Sequence, residues 1–483
     1  MKTFMYVAVV CLVAAVCLTA DANVWYVDKN NVSGTENGLS WATAFTTIQE
    51  AVDAAFESDG GEVWVAEGTY NEDRMSVDEV TEIDTHSLIM REGVELYGGF
   101  TGSEQSKSVR DWLANQTIIS GVSATGVYAD HAVIGADNAT LDGFTVTRGM
   151  RGLTGENGGG MYNRNVSPVV ANCTFADSFA MYGAGMCNEN ASPTVLNCTF
   201  RGNWAYGGGG GMYNEDSSPT VVGCAFVANE ARRKADMSTG AGMYNVRSEP
   251  TVIECTFSEN YAGYGGAMAN VESMPRIEHS VFVRNKVETL SSGSGAAMYN
   301  ISEETFAAPR IINCTFAGNV AETGIFGSDV DTDTIRNVGR SSPTITNCIL
   351  WNTDNDVEIQ NLINGNVKDS LDIPEPAVTY SDVRGGYSGE GNIDVEPMFV
   401  DPASDDYRMQ PNSPCIGAGA GGTDMGAFTF ADVSGDDKVD ASDIQYTINA
   451  ALGLSAPAET DIDGDGSVTA TDIQLVINAV LGL

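Results

Sequence analysis

The clearest chemistry in this sequence lies near its C-terminus, where oxygen-bearing side chains recur in two loops that start 29 residues apart. They stand at loop positions 1, 3, 5, 7, 9 and 12, the arrangement that surrounds a calcium ion with oxygen ligands. The sequence therefore predicts two calcium ions. The predicted ligands are Asp432, Ser434, Asp436, the Lys438 carbonyl, Asp440 and Asp443 in the first loop, and Asp461, Asp463, Asp465, the Ser467 carbonyl, Thr469 and Asp472 in the second.

Each loop runs into a near-identical segment, residues 444–454 and 473–483, that we expect to be helical. Two such loops with matched helices, and with Asp at position 12, resemble a type I dockerin. The resemblance implies docking to a cohesin domain through the two residues before position 12, which are Ala441 and Ser442, and Ala470 and Thr471. Asp437 departs from the pattern, because glycine is usual there. An alternative is a calcium-bound knot that only closes the preceding domain.

The charge of the chain excludes one class of partner. The 483 residues include 65 Asp and Glu but only 24 Lys and Arg, which gives a net charge of −41. Phosphate would be repelled, so we expect no nucleic-acid partner. Hydrophobic residues make up 43% of the chain, which indicates a folded protein. Residues 432–483 alone carry a net charge of −9, and we expect this region to be loose without metal.

The middle of the chain repeats a Pro-x-Val-x-x-Cys-x-Phe unit, with Ile in place of Val in some copies. The units begin at Pro168, Pro193, Pro219, Pro250, Pro275, Pro309 and Pro343. Cys and Phe are two residues apart and share one strand face, whereas Val and Cys are three apart, so a corner must separate them. Asn or Gly precedes most of the cysteines and tolerates the left-handed backbone of a corner, and Glu254 and His279 depart from this rule.

A second block, Gly-x-Met-x-Asn, precedes each unit in most turns. Together the two blocks predict a coil of about 25 residues and three short strands per turn, a right-handed parallel β-helix. Its Phe-x-x-Asn tetrads, such as residues 200–203, resemble repeats of polymorphic outer-membrane proteins and the wider pectate-lyase-like superfamily. Residues 47–56 have helical spacing and a capping box between Thr47 and Glu50, which predicts an N-terminal cap helix.

The start of the chain has the features of a secretory signal: Lys2, an apolar run over residues 4–18, and small residues at Ala20 and Ala22. A membrane anchor is less consistent with so short a run, and a lipoprotein start at Cys17 would need a small residue where Val16 stands. No later run reaches the ~18 apolar residues of a membrane span. We therefore expect a signal peptide (1–22), an all-β β-helix domain (23–430) and a small all-α calcium domain (431–483), secreted to the extracellular space or held at a cell surface.

Six cysteines of the repeat share one column, and Ser280 replaces the cysteine in one turn. We interpret the column as small, buried free thiols. The alternative is that disulfide bonds join cysteines of adjacent turns, and an oxidising environment outside the cell would permit them.

Catalytic residues cannot be assigned from the sequence. The resemblance implies polysaccharide lyases and hydrolases as relatives, but only fragments of their motifs occur, namely Asn352-Thr353-Asp354 and Asp405-Asp406, with three histidines and no Gly-His-Gly. A basic run, Arg232-Arg233-Lys234, is either a grip for an acidic sugar or a solvated loop.

These patterns predict a secreted β-helix that a calcium-dependent dockerin-like module attaches to a cohesin-bearing partner, in extracellular polysaccharide binding or breakdown. The alternatives are a polysaccharide lyase or glycoside hydrolase with its site in the side groove of the β-helix, and a surface adhesin.

Overall fold

The structure is a computed structural model that describes residues 23–74, 86–150, 157–232, 238–289, 295–323, 333–352, 357–362, 375–434, 439, 441–454, 460–462 and 467–481. The predicted signal peptide lies outside these residues. Within them the chain winds as a coil, and each strand pairs in parallel with the equivalent strand of the next turn. The parallel β-helix predicted from the repeat is confirmed.

Sheet A is formed by the strands of the Pro-x-Val block and their equivalents in the first turns. Its strands are Val24–Val27, Gly61–Ala66, Val94–Phe100, Thr140–Asp142, Val169–Ala171, Thr194–Leu196, Thr220–Val222, Thr251–Ile253, Arg276–Glu278, Arg310–Ile312, Thr344–Thr346 and Ala377–Thr379.

Sheet B follows at the corner and carries the Phe column. Its strands are Gly68–Tyr70, Thr117–Ser120, Phe144–Thr147, Thr174–Ala176, Thr199–Arg201, Ala225–Val227, Thr256–Ser258, Val281–Val283, Thr315–Ala317, Ile349–Trp351 and Asp382–Val383.

Sheet C carries the Met-x-Asn block. Its strands are Leu88–Ile89, Val133–Ile134, Met161–Arg164, Met186–Glu189, Met212–Glu215, Met243–Val246, Met268–Val271, Met298–Ala307, Asp333–Ser341 and Val357–Leu362.

A fourth sheet corrects the prediction of three strands per turn. Sheet D lies between sheets B and C in the middle turns and contains Phe179–Tyr182, Trp204–Gly208, Glu230–Ala231, Tyr261–Ala262, Lys286–Thr289 and Val320–Thr323. Its inward residues are small, and Ala180, Ala205 and Ala262 are fully buried. The segment lies between the Pro and Met blocks, on which the prediction of three strands per turn rested, so neither block marks this strand.

The interior contains the predicted rows of side chains. The rings of Phe200 and Phe226 stack with centroids 4.8 Å apart and planes 5° apart. The column cysteines are buried free thiols, which confirms that interpretation over bridges. Their sulfur atoms accept main-chain N–H groups from the preceding turn, as in the 3.3 Å contact from Cys198 N to Cys224 Sγ.

The corner between sheets A and B is left-handed in every repeat, as predicted. Asn172 has φ 51° and Gly223 φ 62°. Glu254 and His279, the two departures from Asn and Gly, adopt the same region with φ 53° and 48°. In residues other than glycine this left-handed conformation is sterically strained.

Buried asparagines form two hydrogen-bonded ladders along the coil, a role that the sequence analysis did not assign to the repeated Asn. In one ladder, each amide nitrogen donates to the amide oxygen of the next turn, as from Asn203 to Asn229 at 3.0 Å. The ladder ends where Asn352 donates to the Glu358 carboxylate at 2.8 Å. In the second ladder the last donor, Asn361, meets Glu375 at 3.2 Å. Each ladder therefore satisfies polar groups that would otherwise be costly to bury.

Helix α1 (Ile48–Glu57) caps the first turn. Thr47 accepts the Glu50 N–H, which confirms it as the N-cap, and the Glu50 carboxylate accepts the Thr47 hydroxyl at 2.6 Å rather than the main-chain N–H of a full capping box. Ile48, Ala51, Val52 and Ala55 are buried against the first strands. Phe56, which the spacing placed on the same face, is 48% exposed instead, with Arg91 over its ring.

The chain after the last turn folds back over the outer face of sheet B. A short antiparallel hairpin, Phe399–Asp401 with Asp406–Met409, packs with Cys415 and Met425 against Val281 and Ile349 of sheet B. Two helices follow, α2 (Ala441–Ala451) and α3 (Ala470–Leu481). Each begins before the predicted start, and Gly453, two residues after the end of α2, has a φ of 69°, which suits a glycine that follows a helix.

Candidate calcium and docking site

The carboxylates at position 12 of the two loops are fully buried and fold back onto their own loops. Asp443 Oδ1 accepts the N–H groups of Val433 and Ser434 at 2.9 and 2.8 Å. Asp472 Oδ1 accepts the Ile462 N–H at 2.7 Å, and its Oδ2 accepts the Thr469 N–H at 2.7 Å. Both helix starts therefore hold a carboxylate against the loop, which is where the position 12 ligand of a calcium loop would stand.

The described part of the predicted ligand set consists of oxygen donors that the loops bring together. Ser434 Oγ lies 3.3 Å from Asp432 Oδ1, and Asp443 holds the main chain of the same segment. In the second loop, Thr469 Oγ1 lies 3.3 Å from Asp472 Oδ2. This chemistry fits a hard cation. Asp461 and Ser467 are also described, whereas Asp436, Lys438, Asp440, Asp463 and Asp465 lie outside the described residues.

A small apolar core joins the two loops and their helices. Val433 and Ile462, the second residue of each loop, pack with Val476 of α3, and Ile444 of α2 lies against them. The side chains of the residues at position 2 thus point into the module, while the main-chain N–H groups of the same residues donate to the position 12 carboxylates. Folding of this core and closure of the loops are therefore linked.

The four residues predicted to meet a partner are all exposed. Ala441 and Ser442 are the first two residues of α2, and Ala470 and Thr471 are the first two residues of α3. Their neighbours Asp443 and Asp472 are buried, so each helix start presents a small polar or methyl side chain outward directly beside the loop. The structure contains no partner chain, and the role of these residues remains a prediction.

The module sits directly on the β-helix. Arg408 of the hairpin forms an ion pair with Asp406 at 2.6 Å and donates to the main-chain oxygen of Asp461 at 3.3 Å. Phe430 packs against both the hairpin core and the module core. A cavity of about 340 Å³ lies at this contact, lined on one side by Glu254 and on the other by the first loop. Sequence reasoning missed Arg408, since no repeat or motif marks it.

The fragments of hydrolase motifs lie in separate places. Asn352 is a buried member of an asparagine ladder, and Thr353 and Asp354 lie outside the described residues. Asp405 and Asp406 form ion pairs with Arg284 and Arg408 over sheet B. Within the part of the chain that the structure describes, these fragments therefore do not converge on one site.

Two buried acidic groups belong to the packing of the last turns. Burial raises the pKa of Glu358, which ends an asparagine ladder. Burial also raises the pKa of Asp382 to about 6, and the Cys415 thiol donates to this carboxyl at 3.2 Å. Burial and the Asp382 charge raise the pKa of that thiol in turn.

Sequence reasoning also missed a row of aromatic side chains on the outer face of sheet D. Phe179 and Trp204 occupy equivalent positions in adjacent turns, and Tyr261 takes the same position two turns after Trp204. The signal was present in the sequence, because each aromatic follows the Phe column by four residues. It was lost because that segment was not assigned to a strand.

Two family models match the chain. A model of the right-handed β-helix region matches residues 120–306, and a model of the type I dockerin domain, a calcium-binding module, matches residues 430–481. A search of curated proteins found no match. Among the described helices, none is both long and apolar enough to cross a bilayer.

Solved structures share the fold at low identity. Pectate lyase Pel9A is 14% identical, with a TM-score of 0.50 over 85% of this chain and 97% of its own. The surface adhesin PfbA of Streptococcus pneumoniae is 10% identical, with a TM-score of 0.30 over 69% of this chain and 89% of its own. A pectin methylesterase from Aspergillus niger is 12% identical, with a TM-score of 0.26 over 74% and 91%. The chain is a right-handed parallel β-helix that carries a C-terminal type I dockerin domain.

Proposed function

We propose that this protein is secreted and that its dockerin domain, loaded with two calcium ions, attaches the β-helix to a cohesin-bearing partner that handles extracellular polysaccharide. The observation that carries the proposal is the paired geometry of the loops. Asp443 and Asp472 are buried against their loops, while the residues immediately before them are exposed.

The proposal assigns the ions to the twelve predicted ligands of the two loops. Calcium would supply charge neutralisation there, since the module carries a net charge of −9, which two ions reduce to −5. The chain's own residues hold the geometry. Val433 and Ile462 anchor the loops in the apolar core, and Asp443 and Asp472 tie each helix start to its loop.

Docking would use the exposed start of each helix. Ser442 and Thr471 offer hydroxyl groups, and Ala441 and Ala470 offer methyl groups that let a partner approach the helix ends closely. A patch of this kind has little charge, so shape and hydrogen bonding would determine its affinity more than electrostatic steering. The similarity of the β-helix to pectate lyase Pel9A supports polysaccharide as the material that the complex handles.

The test is capture of the full secreted chain on immobilised type I cohesin domains. We expect capture in calcium, loss of capture in a chelator and recovery when calcium is restored. Calorimetric titration of the metal-free chain should show two calcium ions bound. Equal recovery with and without chelator would refute calcium-dependent attachment, and failure to bind any cohesin despite two bound ions would refute the docking role alone.

A further inference from the structure

The outer face of sheet D carries a row of aromatic rings, of which Trp204 is exposed and Phe179 and Tyr261 are half-buried. Trp204 is 40% exposed, and its ring lies 4.6 Å from that of Phe179 in the preceding turn. Met150, bridged to Phe179, is 41% exposed and extends the same apolar strip. The inward residues of these strands, Ala180 and Ala205, are fully buried and pack against the interior of the coil. An exposed apolar patch that polar residues border is the kind of surface that marks an interaction site.

Polar groups follow the rings in the next two turns. Strand pairing places Glu230 beside Trp204 and Tyr261 beside Glu230. Arg232 lies 3.1 Å from Glu230 and 4.4 Å from the centre of the Tyr261 ring. The Glu230 and Arg232 side chains are 42% and 54% exposed. We call Phe179, Trp204, Glu230, Arg232 and Tyr261 the aromatic face.

The spacing of the aromatic face suits a sugar chain. Neighbouring strands lie ~4.8 Å apart, so each turn advances by about the length that one pyranose adds to an extended glycan. A sugar has an apolar face of C–H groups and a rim of hydroxyls. The Phe179–Trp204 pair provides an apolar surface for the first, and the Glu230–Arg232 pair in the next turn provides an acceptor and donors for the second.

The charge of the aromatic face favours a neutral ligand. Arg232 is already paired with Glu230 and stacked on Tyr261, so the pair has no net charge to offer an acidic sugar. The chain as a whole carries −41, which would repel a polyanion. The pairing of Arg232 with Glu230 argues against Arg232 as a binding residue for acidic sugars. Arg233 and Lys234 lie outside the described residues.

We infer that the aromatic face binds a neutral, extended polysaccharide, with one sugar against Trp204 and the hydroxyls of its neighbour at Glu230 and Arg232. The inference rests on the polysaccharide role proposed above and names the surface that fulfils it. It is independent of cohesin docking, because the described contacts of the dockerin domain are with the hairpin over sheet B.

The test is affinity electrophoresis of the full chain, in calcium, through gels that contain xyloglucan, galactomannan, hydroxyethylcellulose or polygalacturonate. We expect the wild type to be retarded by at least one neutral glycan and not by polygalacturonate. Trp204→Ala should weaken that binding at least tenfold, about 1.4 kcal/mol. Phe306→Ala is the matched control, because Phe306 is 49% exposed but lies on a strand of sheet C.

Four results would overturn the inference: no retardation by any neutral glycan, retardation by polygalacturonate alone, unchanged binding in Trp204→Ala, or an equal loss in Phe306→Ala. The thermal midpoint of each variant shows whether it has folded. Cohesin capture of the same preparations separates this inference from the proposed function, since capture should be unchanged in Trp204→Ala. Loss of glycan binding with intact capture would therefore concern the aromatic face alone.

Discussion

Removal of the Asp472 carboxylate tests the calcium loop directly. In the native structure this carboxylate accepts the Ile462 and Thr469 N–H groups, both at 2.7 Å, and it is fully buried. In Asp472→Ala both donors lose their acceptor. A donor left unsatisfied costs about 1–3 kcal/mol, and the Thr469 group is only partly buried, so we expect the module in calcium to lose at least about 2 kcal/mol in its free energy of unfolding.

The assay combines calorimetry with denaturant unfolding. Calcium titration of Asp472→Ala should show one ion where the wild type shows two, and Asp443→Ala should give the reciprocal loss in the first loop. Thr471→Ala is the control in the neighbouring position. Thr471 is exposed, so this change should leave calcium stoichiometry intact and the free energy of unfolding within about 0.5 kcal/mol, while it lowers cohesin capture.

Two outcomes would contradict this reasoning. If Asp472→Ala still bound two ions, the carboxylate would not be a ligand of the second loop. If its unfolding midpoint in calcium matched that of the wild type, neither the hydrogen bonds to Ile462 and Thr469 nor the second ion would support the loop. Either result would also remove the observation on which the docking proposal depends.

Other predictions concern the coil and its contact with the dockerin domain. Phe226→Ala removes a fully buried ring from the stack and should lower the free energy of unfolding by about 3–5 kcal/mol, measured by denaturant unfolding. A loss as small as that of a typical surface substitution would show that the Phe column does not stabilise the core. Because burial raises the pKa of Asp382 to about 6, the folded state binds the extra proton, so stability should fall as pH rises from about 4 to above 6, and Asp382→Asn should flatten that slope. Alkylation of the denatured mature chain without reductant should label all eight cysteines, and fewer labels would indicate bridges. Arg408→Ala should speed proteolytic release of the dockerin domain by loosening its contact with Asp461, while Arg164→Ala, a change at a distant exposed arginine, should not.

The coil could be predicted because its chemistry repeats. Each Pro-x-Val-x-x-Cys-x-Phe unit places the same side chains in the same interior column, so the register follows from alignment alone, as the stacked Phe200 and Phe226 show. The corner followed from the odd spacing of Val and Cys, and its left-handed backbone from the Asn or Gly that precedes most of the cysteines. Sheet D was missed because its signal is weak: a single inward alanine between outward residues that vary from Trp204 to Glu230 to Tyr261.

The candidate calcium ligands rest on a different kind of signal. Loop positions are fixed by the geometry of the ion, so residue type and spacing single out Asp432 or Asp472 as candidates without knowledge of the surrounding fold, and their role as ligands stays a prediction. The aromatic face and the Arg408 contact depend on how distant segments meet. Arg408 reaches Asp461 only because the chain folds back over sheet B, and no local pattern specifies that return.

The short connection between the two domains has a consequence for how the β-helix would be displayed. Phe430 belongs to both the hairpin core and the dockerin core, and Asp424 accepts the Phe430 N–H at 2.8 Å, so the chain is held where it passes from one domain to the other. A partner bound at the helix starts would therefore hold the coil in a set orientation. The described contacts of the dockerin domain lie with the hairpin over sheet B, and Trp204 on sheet D is 40% exposed with the domain in place, so the dockerin domain does not cover that ring.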